Sequence, residues 1–134
     1  MNFRFLVEID GIQRGGFARV KGIAREIKVD TYREGGVNDY EHKFINQTTY
    51  GNLVLERGLV DDFMWGWHDG LVEGDVKRRP ITIVMRDSTN NETWRWLIDG
   101  AMPVKWSGTD LDAASSQIVV ESIELAHRGF RKGK

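Results

Sequence analysis

Apolar and polar residues alternate over many short stretches of this chain, which is the pattern of half-buried β-strands. Residues 3–10 show it first, with Phe5 and Val7 on the apolar face. We therefore expect Phe5 and Val7 to lie in a core. The pattern resumes from Phe17 to Val29 and is interrupted at Gly22. A glycine within a strand pattern marks a bulge or a bend, which predicts one long curved strand or a pair of strands.

The same alternation predicts a hairpin in the C-terminal half. Residues 81–85 and 93–98 flank a turn-rich stretch at residues 87–91. Trp94 and Trp96 fall on one face of the second strand, so we expect both indole rings in the core. Three further short strands are predicted, over residues 53–58, 101–106 and 117–126.

One segment has the period of an amphipathic helix. Asp61 or Asp62 can cap its first amides, and Phe63 and Trp67 begin an apolar stripe along one side. Gly74 is expected to end the helix. We expect Phe63 and Trp67 to pack against the strands.

Residues 33–50 have almost no apolar periodicity. This segment is predicted to be a long loop or an extended hairpin arm, and such lengths are uncommon in compact domains unless they are functional. An arm without a core of its own is expected to pack on a neighbouring subunit or ring, with Tyr40 and Phe44 as anchors. The arm residues assigned to this role are Glu34, Gly35, Gly36, Asn38, Asp39, Tyr40, His42, Lys43 and Phe44.

Composition narrows the function classes. The 134 residues include 19 Lys and Arg against 20 Asp and Glu, and there is no cysteine. The absence of cysteine excludes a disulfide scaffold and a thiolate metal site, and a net charge of −1 argues against binding by phosphate neutralisation. We expect residues 1–134 to be one domain. No signal peptide or spanning segment is recognisable, which predicts synthesis in the cytoplasm and no stable insertion in a membrane.

The titratable residues do not form a recognisable catalytic motif. His42, His68 and His127 lack metal-ligand spacing, and the pair Asp61-Asp62 is better explained by helix capping. Gly15-Gly16 and Gly35-Gly36 lack the context of a phosphate loop and are interpreted as turns. We expect no enzymatic activity, catalytic residue, metal site or cofactor.

Two kinds of protein remain. A small β domain must protect its sheet edges, and pairing them between identical subunits is one solution. The alternative is an oligonucleotide-binding β-barrel, in which some of the five tryptophans form a stacking platform for single-stranded nucleic acid.

Four segments identify a resemblance. The chain resembles the tail tube proteins of contractile phages and of extracellular contractile injection systems, whose fold is shared with the Hcp proteins of type VI secretion. The resemblance runs from about Phe3 to Gly129. The segments that carry it, in register with the Trp-rich helix, are Glu34–Asp39, Gln47–Gly58, Ala101–Trp106 and Val120–Gly129.

The resemblance implies a mostly β fold, with two packed antiparallel sheets forming a flattened β-barrel and one flanking α-helix. It implies a structural protein whose homohexameric rings stack into a rigid inner tube. The implied partners are further copies of the chain, sheath and baseplate or hub proteins, and effector cargo or phage DNA in the lumen. The implied location is a phage virion or an extracellular contractile particle.

The chain departs from the resemblance in the arm. Ile45-Asn46 stands where the family is expected to have Pro-Gly. The sequence leaves open whether this chain forms the main tube or a specialised ring, such as the first one on the baseplate.

Overall fold

The computed structural model describes residues 3–32, 42–111 and 118–133, which form ten strands and one helix. In chain order these elements are β1 (Phe5–Ile9), β2 (Ile12–Lys21), β3 (Arg25–Tyr32), β4 (His42–Tyr50), β5 (Leu53–Val60), α1 (Asp62–Val72), β6 (Arg79–Arg86), β7 (Glu92–Ser107), β8 (Asp110–Leu111), β9 (Ile118–Ala126) and β10 (Gly129–Lys132).

Six of the strands close into a barrel. The order β7-β6-β1-β2-β5-β9 returns to its start because β7 also pairs with β9, and every pairing is antiparallel. β10 adds to β7 outside this closed set, and β8 pairs with β9. The predicted flattened β-barrel of antiparallel sheets with one helix is confirmed.

β7 joins the two layers of the barrel. Its first part, as far as Ala101, pairs with β6, and its last part, from Met102, pairs with β9. Gly100 lies at the change of partner with a φ of +59°, a conformation that glycine adopts readily. The sequence predicted two separate strands here, because a bent strand and a broken one give the same pattern.

The barrel interior is apolar. Val7 is fully buried and Trp67 nearly so, while Phe5, Phe63 and Trp96 are partly buried and pack against the same cluster. The largest fully buried side chains are Phe17, Ile9, Leu53, Leu55, Met64, Ile81, Ile83, Ile98, Ile123 and Leu125.

Trp94 differs from the core position expected of it. Its side chain is 37% exposed, because it lies near the β6–β7 turn, where the barrel interior ends. The Lys132 Nζ lies 4.2 Å from the centre of the Trp94 ring, and the centres of the Trp94 and Trp96 rings are 5.7 Å apart. The alternation predicted the face of the strand correctly, but it carries no information on how far the core extends along that face.

Helix α1 begins after Asp61, whose side chain accepts a hydrogen bond from the Met64 amide at 3.2 Å. Met64 and Trp67 are buried against the barrel, and the Trp67 indole donates to the Lys77 carbonyl at 2.8 Å. Gly74 follows the last turn with a φ of +95°. The helix packs against β7 and β2.

Strands β3 and β4 form a separate two-stranded sheet, here called the ribbon. Pairing of β2 with β5 ends at Lys21 and Val54, and pairing of β3 with β4 begins at Arg25 and Tyr50, so the ribbon continues the same hairpin. Gly22, with a φ of +82°, marks the break. Of the two predicted alternatives, the pair of strands is correct.

Three further differences from the sequence predictions have physical causes. Gly15 and Gly16 lie inside β2 and not in a turn, since the lack of a side chain at Gly16 makes room for the Phe3 ring. β5 runs on to Val60, because Arg57 adopts a φ of +52° without ending the strand. β10 was not predicted, as most of its side chains are charged or exposed.

Candidate assembly surfaces

The first candidate surface is the free edge of β2. Residues 12–17 pair with β1, whereas residues 15–21 pair with β5 on the other side. Within the described residues, Ala18 to Lys21 therefore have a strand on one side only. A strand edge of this kind is a template for another strand.

The second candidate surface is the free edge of β7 beyond Met102. This part of the strand pairs with β9 on one side, and in the ranges that the structure describes no strand lies on its other side. β8 continues the same edge, with Asp110 and Leu111 opposite Val119 and Ile118. Pro103 lies at the beginning of this free edge, where its missing amide hydrogen costs no ladder hydrogen bond.

The two free edges belong to one layer of the barrel. In the order β2-β5-β9-β7, the free part of β2 is the first strand and the free part of β7 is the last. One copy can therefore offer its β2 edge to the β7 edge of the next, which is a head-to-tail contact.

The outer face of this layer is polar. Arg19 and Lys21 on β2 lie beside Glu56 on β5, with the Lys21 ammonium 3.0 Å and the Arg19 Nε 3.9 Å from the same carboxylate oxygen. The hydrogen bond from Lys21 is the main cause that lowers the pKa of Glu56, and the charge of Arg19 adds to it. On β9, Glu124 accepts a hydrogen bond from Asn52 at 3.1 Å. The face is hydrophilic and its charges are paired.

The ribbon is the third candidate surface. Ile27 is 52% exposed and Val29 is 47% exposed, and both lie on β3. Apolar side chains at alternate strand positions point to the same face. The base of the ribbon touches β10: Tyr50 meets Phe130 edge to face at 5.5 Å, and Arg25 donates to the Phe130 carbonyl at 3.4 Å.

The predicted arm residues fall partly on this ribbon. His42, Lys43 and Phe44 lie in β4, opposite Tyr32, Thr31 and Asp30. Glu34, Gly35, Gly36, Asn38, Asp39 and Tyr40 lie outside the described residues. The interpretation of this segment as an extended hairpin, one of the two alternatives, agrees with the pairing of β3 and β4.

The described contacts between tryptophan rings fall into two groups. Trp65 and Trp106 meet edge to face at 5.2 Å with an interplanar angle of 88°, and Trp94 lies beside Trp96. Trp67 is buried. A stacking platform needs several exposed ring faces along one positively charged groove, whereas the two partly exposed rings, Trp65 and Trp94, belong to different groups.

Among residues 3–32, 42–111 and 118–133, no three His, Asp or Glu side chains are placed to hold a metal ion together. No helix in the described part of the chain is long and apolar enough to cross a membrane.

The sequence patterns missed the free strand edges and the exposed pair on the ribbon. Pro103 inside a strand pattern was a usable signal for an edge, because a central strand does not accommodate proline. The exposure of Ile27 and Val29 had no local signal, since an apolar alternation looks the same whether its face is covered within the chain or by another chain.

A protein-family model matches nearly the whole chain. The family model described as T4-like virus tail tube protein gp19 matches residues 1–131. Among curated proteins, no sequence matches this chain.

Solved structures share the fold. A chain of the anti-feeding prophage baseplate is 25% identical, with a TM-score of 0.67 over 98% of this chain and 93% of that one. A chain of the PVC sheath–tube complex, an extracellular contractile injection system, is 22% identical, with a TM-score of 0.69 over 98% and 88%. Hcp1 from Flavobacterium johnsoniae is 14% identical, with a TM-score of 0.56 over 98% and 95%.

Proposed function

This chain belongs to the T4-like virus tail tube protein gp19 family and is a structural tube protein, and from that premise we propose that six copies close into a ring. The rings stack into the rigid inner tube of a contractile phage tail or contractile injection system. The tube is a conduit for DNA or effector cargo.

The pair of free edges in one layer is the observation that supports the ring. The β2 edge of one protomer adds to the β7 edge of the next, so the layer continues from protomer to protomer. Head-to-tail contacts that close by rotation generate rings. A closed ring leaves no free edge in this layer, which removes the tendency of open edges to aggregate.

The elements that pack on one face of this layer determine which face lines the lumen. The second layer of the barrel and α1 pack on one face of the β2-β5-β9-β7 layer. In a ring, the outer circumference offers more room than the inner one. The second barrel layer and α1 therefore lie on the outside of the ring. The polar face with Arg19, Lys21, Glu56 and Glu124 then lines the lumen, where paired charges give a hydrophilic surface without one dominant sign.

The ribbon joins neighbouring protomers or successive rings. Its exposed apolar pair, Ile27 and Val29, has the character of an interface core and not of a free surface. The arm residues at and beyond its end, among them Tyr40 and Phe44, supply further contacts to the neighbour.

The remaining partners follow from the role of the tube. Sheath proteins surround it, and baseplate or hub proteins contact the first ring. The protein acts by assembly and performs no covalent chemistry. It is made in the cytoplasm and becomes part of a virion or an extracellular contractile particle.

Two proline substitutions test the ring. Successive amides of a strand point to opposite sides, so one of Ala18 and Arg19 faces β5 and the other faces the free edge. Ala18→Pro and Arg19→Pro are therefore a matched pair. One variant should melt at a lower temperature, and the other should melt like the wild type and fail to give six-chain rings in native mass spectrometry. Six-chain rings from both variants would contradict edge pairing.

A shortened ribbon tests the arm. Lys28 pairs with Gln47, so a two-residue Asn-Gly turn between them replaces residues 29–46 and keeps the base of the ribbon intact. Because loop-closure entropy changes slowly with length, the monomer should fold and melt normally. The variant should lose tubes in electron micrographs. Normal tubes, or failure of the monomer to fold, would contradict the assigned role.

A further inference from the structure

An aromatic patch lies beside the free edge of β7. Trp65 on the outer side of α1 is 42% exposed, although its ring meets Trp106 of β7 at 5.2 Å. The His68 ring lies 6.0 Å from Trp65 and 5.6 Å from Trp106, which completes the patch. Trp65 packs on its own chain through Trp106 but keeps 42% of its surface exposed beside this edge, so a partner can still cover it.

His68 and Pro103 prevent a further strand from pairing at the beginning of that edge. The His68 Nδ1 lies 2.6 Å from the Pro103 carbonyl oxygen. Because a carbonyl oxygen can only accept, Nδ1 must carry the hydrogen. Proline has no amide hydrogen to offer, and its carbonyl is already engaged. Position 103 therefore cannot pair with a further strand, whereas the edge beyond it has no strand on its outer side among the residues that the structure describes.

We propose that the patch formed by Trp65, His68 and Trp106 is an anchor between protomers, covered in the ring by the β2–β3 segment, residues 18–28, of a second copy of this chain. The closed position at Pro103 sets where pairing with the neighbour begins. The proposal rests on the ring proposed above and names the contact that holds it.

Continuity identifies the second copy as the occupant. Trp106 belongs to the free edge itself, so any strand that adds to this edge passes the patch. In a head-to-tail ring that strand is β2 of the neighbour, followed by the connection to β3.

Charge supports the same occupant. Arg19 and Lys21 face the lumen and pair with Glu56, so they take no part in this contact. The exposed charged side chains at the beginning of β3 are Arg25, Glu26 and Lys28, and those of α1 and its C-terminal end are Asp62, Asp69 and Glu73. Opposite charges at the rim favour encounter and fix orientation, while aromatic anchors carry most of the binding energy.

A pair of tryptophan variants tests the anchor. Trp65→Ala should raise the protein concentration needed for half-assembly by about 10- to 100-fold, the usual effect of truncating an aromatic anchor. Trp94→Ala is the control, since Trp94 is comparably exposed but lies at the other end of β7. Sedimentation should show ring loss only for Trp65→Ala, and both variants should melt close to the wild type.

Cross-linking tests the identity of the occupant. The chain has no cysteine, so introduced thiols are the only ones present. With a short bismaleimide, a double variant with Asp69→Cys and Ala24→Cys should give covalent oligomers of up to six chains. A control with Asp69→Cys and Thr93→Cys should remain mostly single chains.

The outcomes separate this inference from the proposed function. If the wild type forms no rings, the ring proposal fails. If the wild type forms rings and Trp65→Ala forms them equally well, the rings stand and the anchor is wrong. If Trp65→Ala loses rings but no link forms between Asp69→Cys and Ala24→Cys, another part of the neighbour covers the patch, and the assignment to the β2–β3 segment is overturned.

Discussion

The barrel buries its apolar side chains, whereas the ribbon leaves two of its apolar side chains about half exposed. In the barrel, Phe17 and Leu55 are fully buried, and Gly58 is packed so closely that no side chain fits there. On the ribbon, Ile27 and Val29 remain about half exposed. One continuous hairpin passes from the first environment to the second at Gly22.

The two parts of the hairpin therefore have different roles. The barrel part buries its apolar face within the chain, so its residues determine whether the monomer folds. The ribbon presents an apolar face that the described residues of its own chain leave about half exposed, so its residues should determine assembly and not folding. Substitutions in the two parts should accordingly separate stability from ring formation.

The largest effect is expected in the barrel core. Phe17→Ala should lower the free energy of unfolding by about 3–5 kcal/mol, the usual cost of removing a fully buried aromatic ring. Chemical denaturation of the monomer measures it. A loss below about 1 kcal/mol would mean that the site collapses around the cavity and that the core is less tightly packed than its burial indicates.

The next effect comes from adding a methyl group. A Cβ at position 58 would collide with the Gly16 carbonyl and the Phe17 ring, whereas one at Gly51 would meet nothing within 4 Å. Gly58→Ala should cost about 1–3 kcal/mol, the range for overpacking. Gly51→Ala, near the break in the hairpin, should change stability far less. Equal melting of the two variants would contradict the close contact of β2 with β5.

The ribbon variants should have the smaller effect on folding. Ile27→Ala should change the free energy of unfolding by no more than about 0.5 kcal/mol, as expected for a surface position, while it weakens assembly. Lys28→Ala is the control on the opposite face of the same strand. Sedimentation beside thermal unfolding makes the comparison. A large stability loss for Ile27→Ala would show that the ribbon belongs to the fold of its own chain.

The smallest effect concerns a turn of the barrel. The Asp87 carboxylate accepts from the Thr89 hydroxyl and from the Asn91 and Thr89 amides, and these bonds lower its pKa, the hydroxyl most. A lowered pKa contributes stability above the ordinary pKa of Asp, and this stability is lost as the pH falls through the lowered value. Asp87→Ala should therefore melt slightly lower than the wild type at pH 7.

Measurements at acidic pH complete this test. The difference in melting temperature between Asp87→Ala and the wild type should disappear below the lowered pKa, because protonated Asp87 no longer makes charge-assisted bonds. Ser88→Ala is the control, since Ser88 makes none of these bonds to Asp87. A difference that persists at the acidic end would assign the effect to local packing and not to charge.

Sequence patterns predicted the fold in large part, because burial on one side of a strand produces an alternation of apolar and polar residues. Phe5 and Val7 show this alternation at β1, and Asp61 indicates where the helix begins. The assembly surfaces produce no comparable sequence pattern. A free edge is a property of which strands meet in space, and β7 acquires its edge only by changing partner near Gly100.

The exposed residues could not be assigned from the sequence for a related reason. Trp94 and Trp96 alternate identically, yet one is 37% exposed and the other packs against the core. Likewise, Trp65 looks like a core residue by type. Its exposure follows from the rotation of α1, which is set by the burial of Met64 and Trp67.

Cryo-electron microscopy of the purified protein would show how the strand edges pair. We expect six-fold rings in which the β2 edge of each protomer, from Ala18 to Lys21, pairs with the β7 edge of the next beyond Pro103. We also expect the face with Lys21 and Glu56 to line the lumen. Monomers at every concentration, or rings in which these two edges remain unpaired, would contradict this assembly.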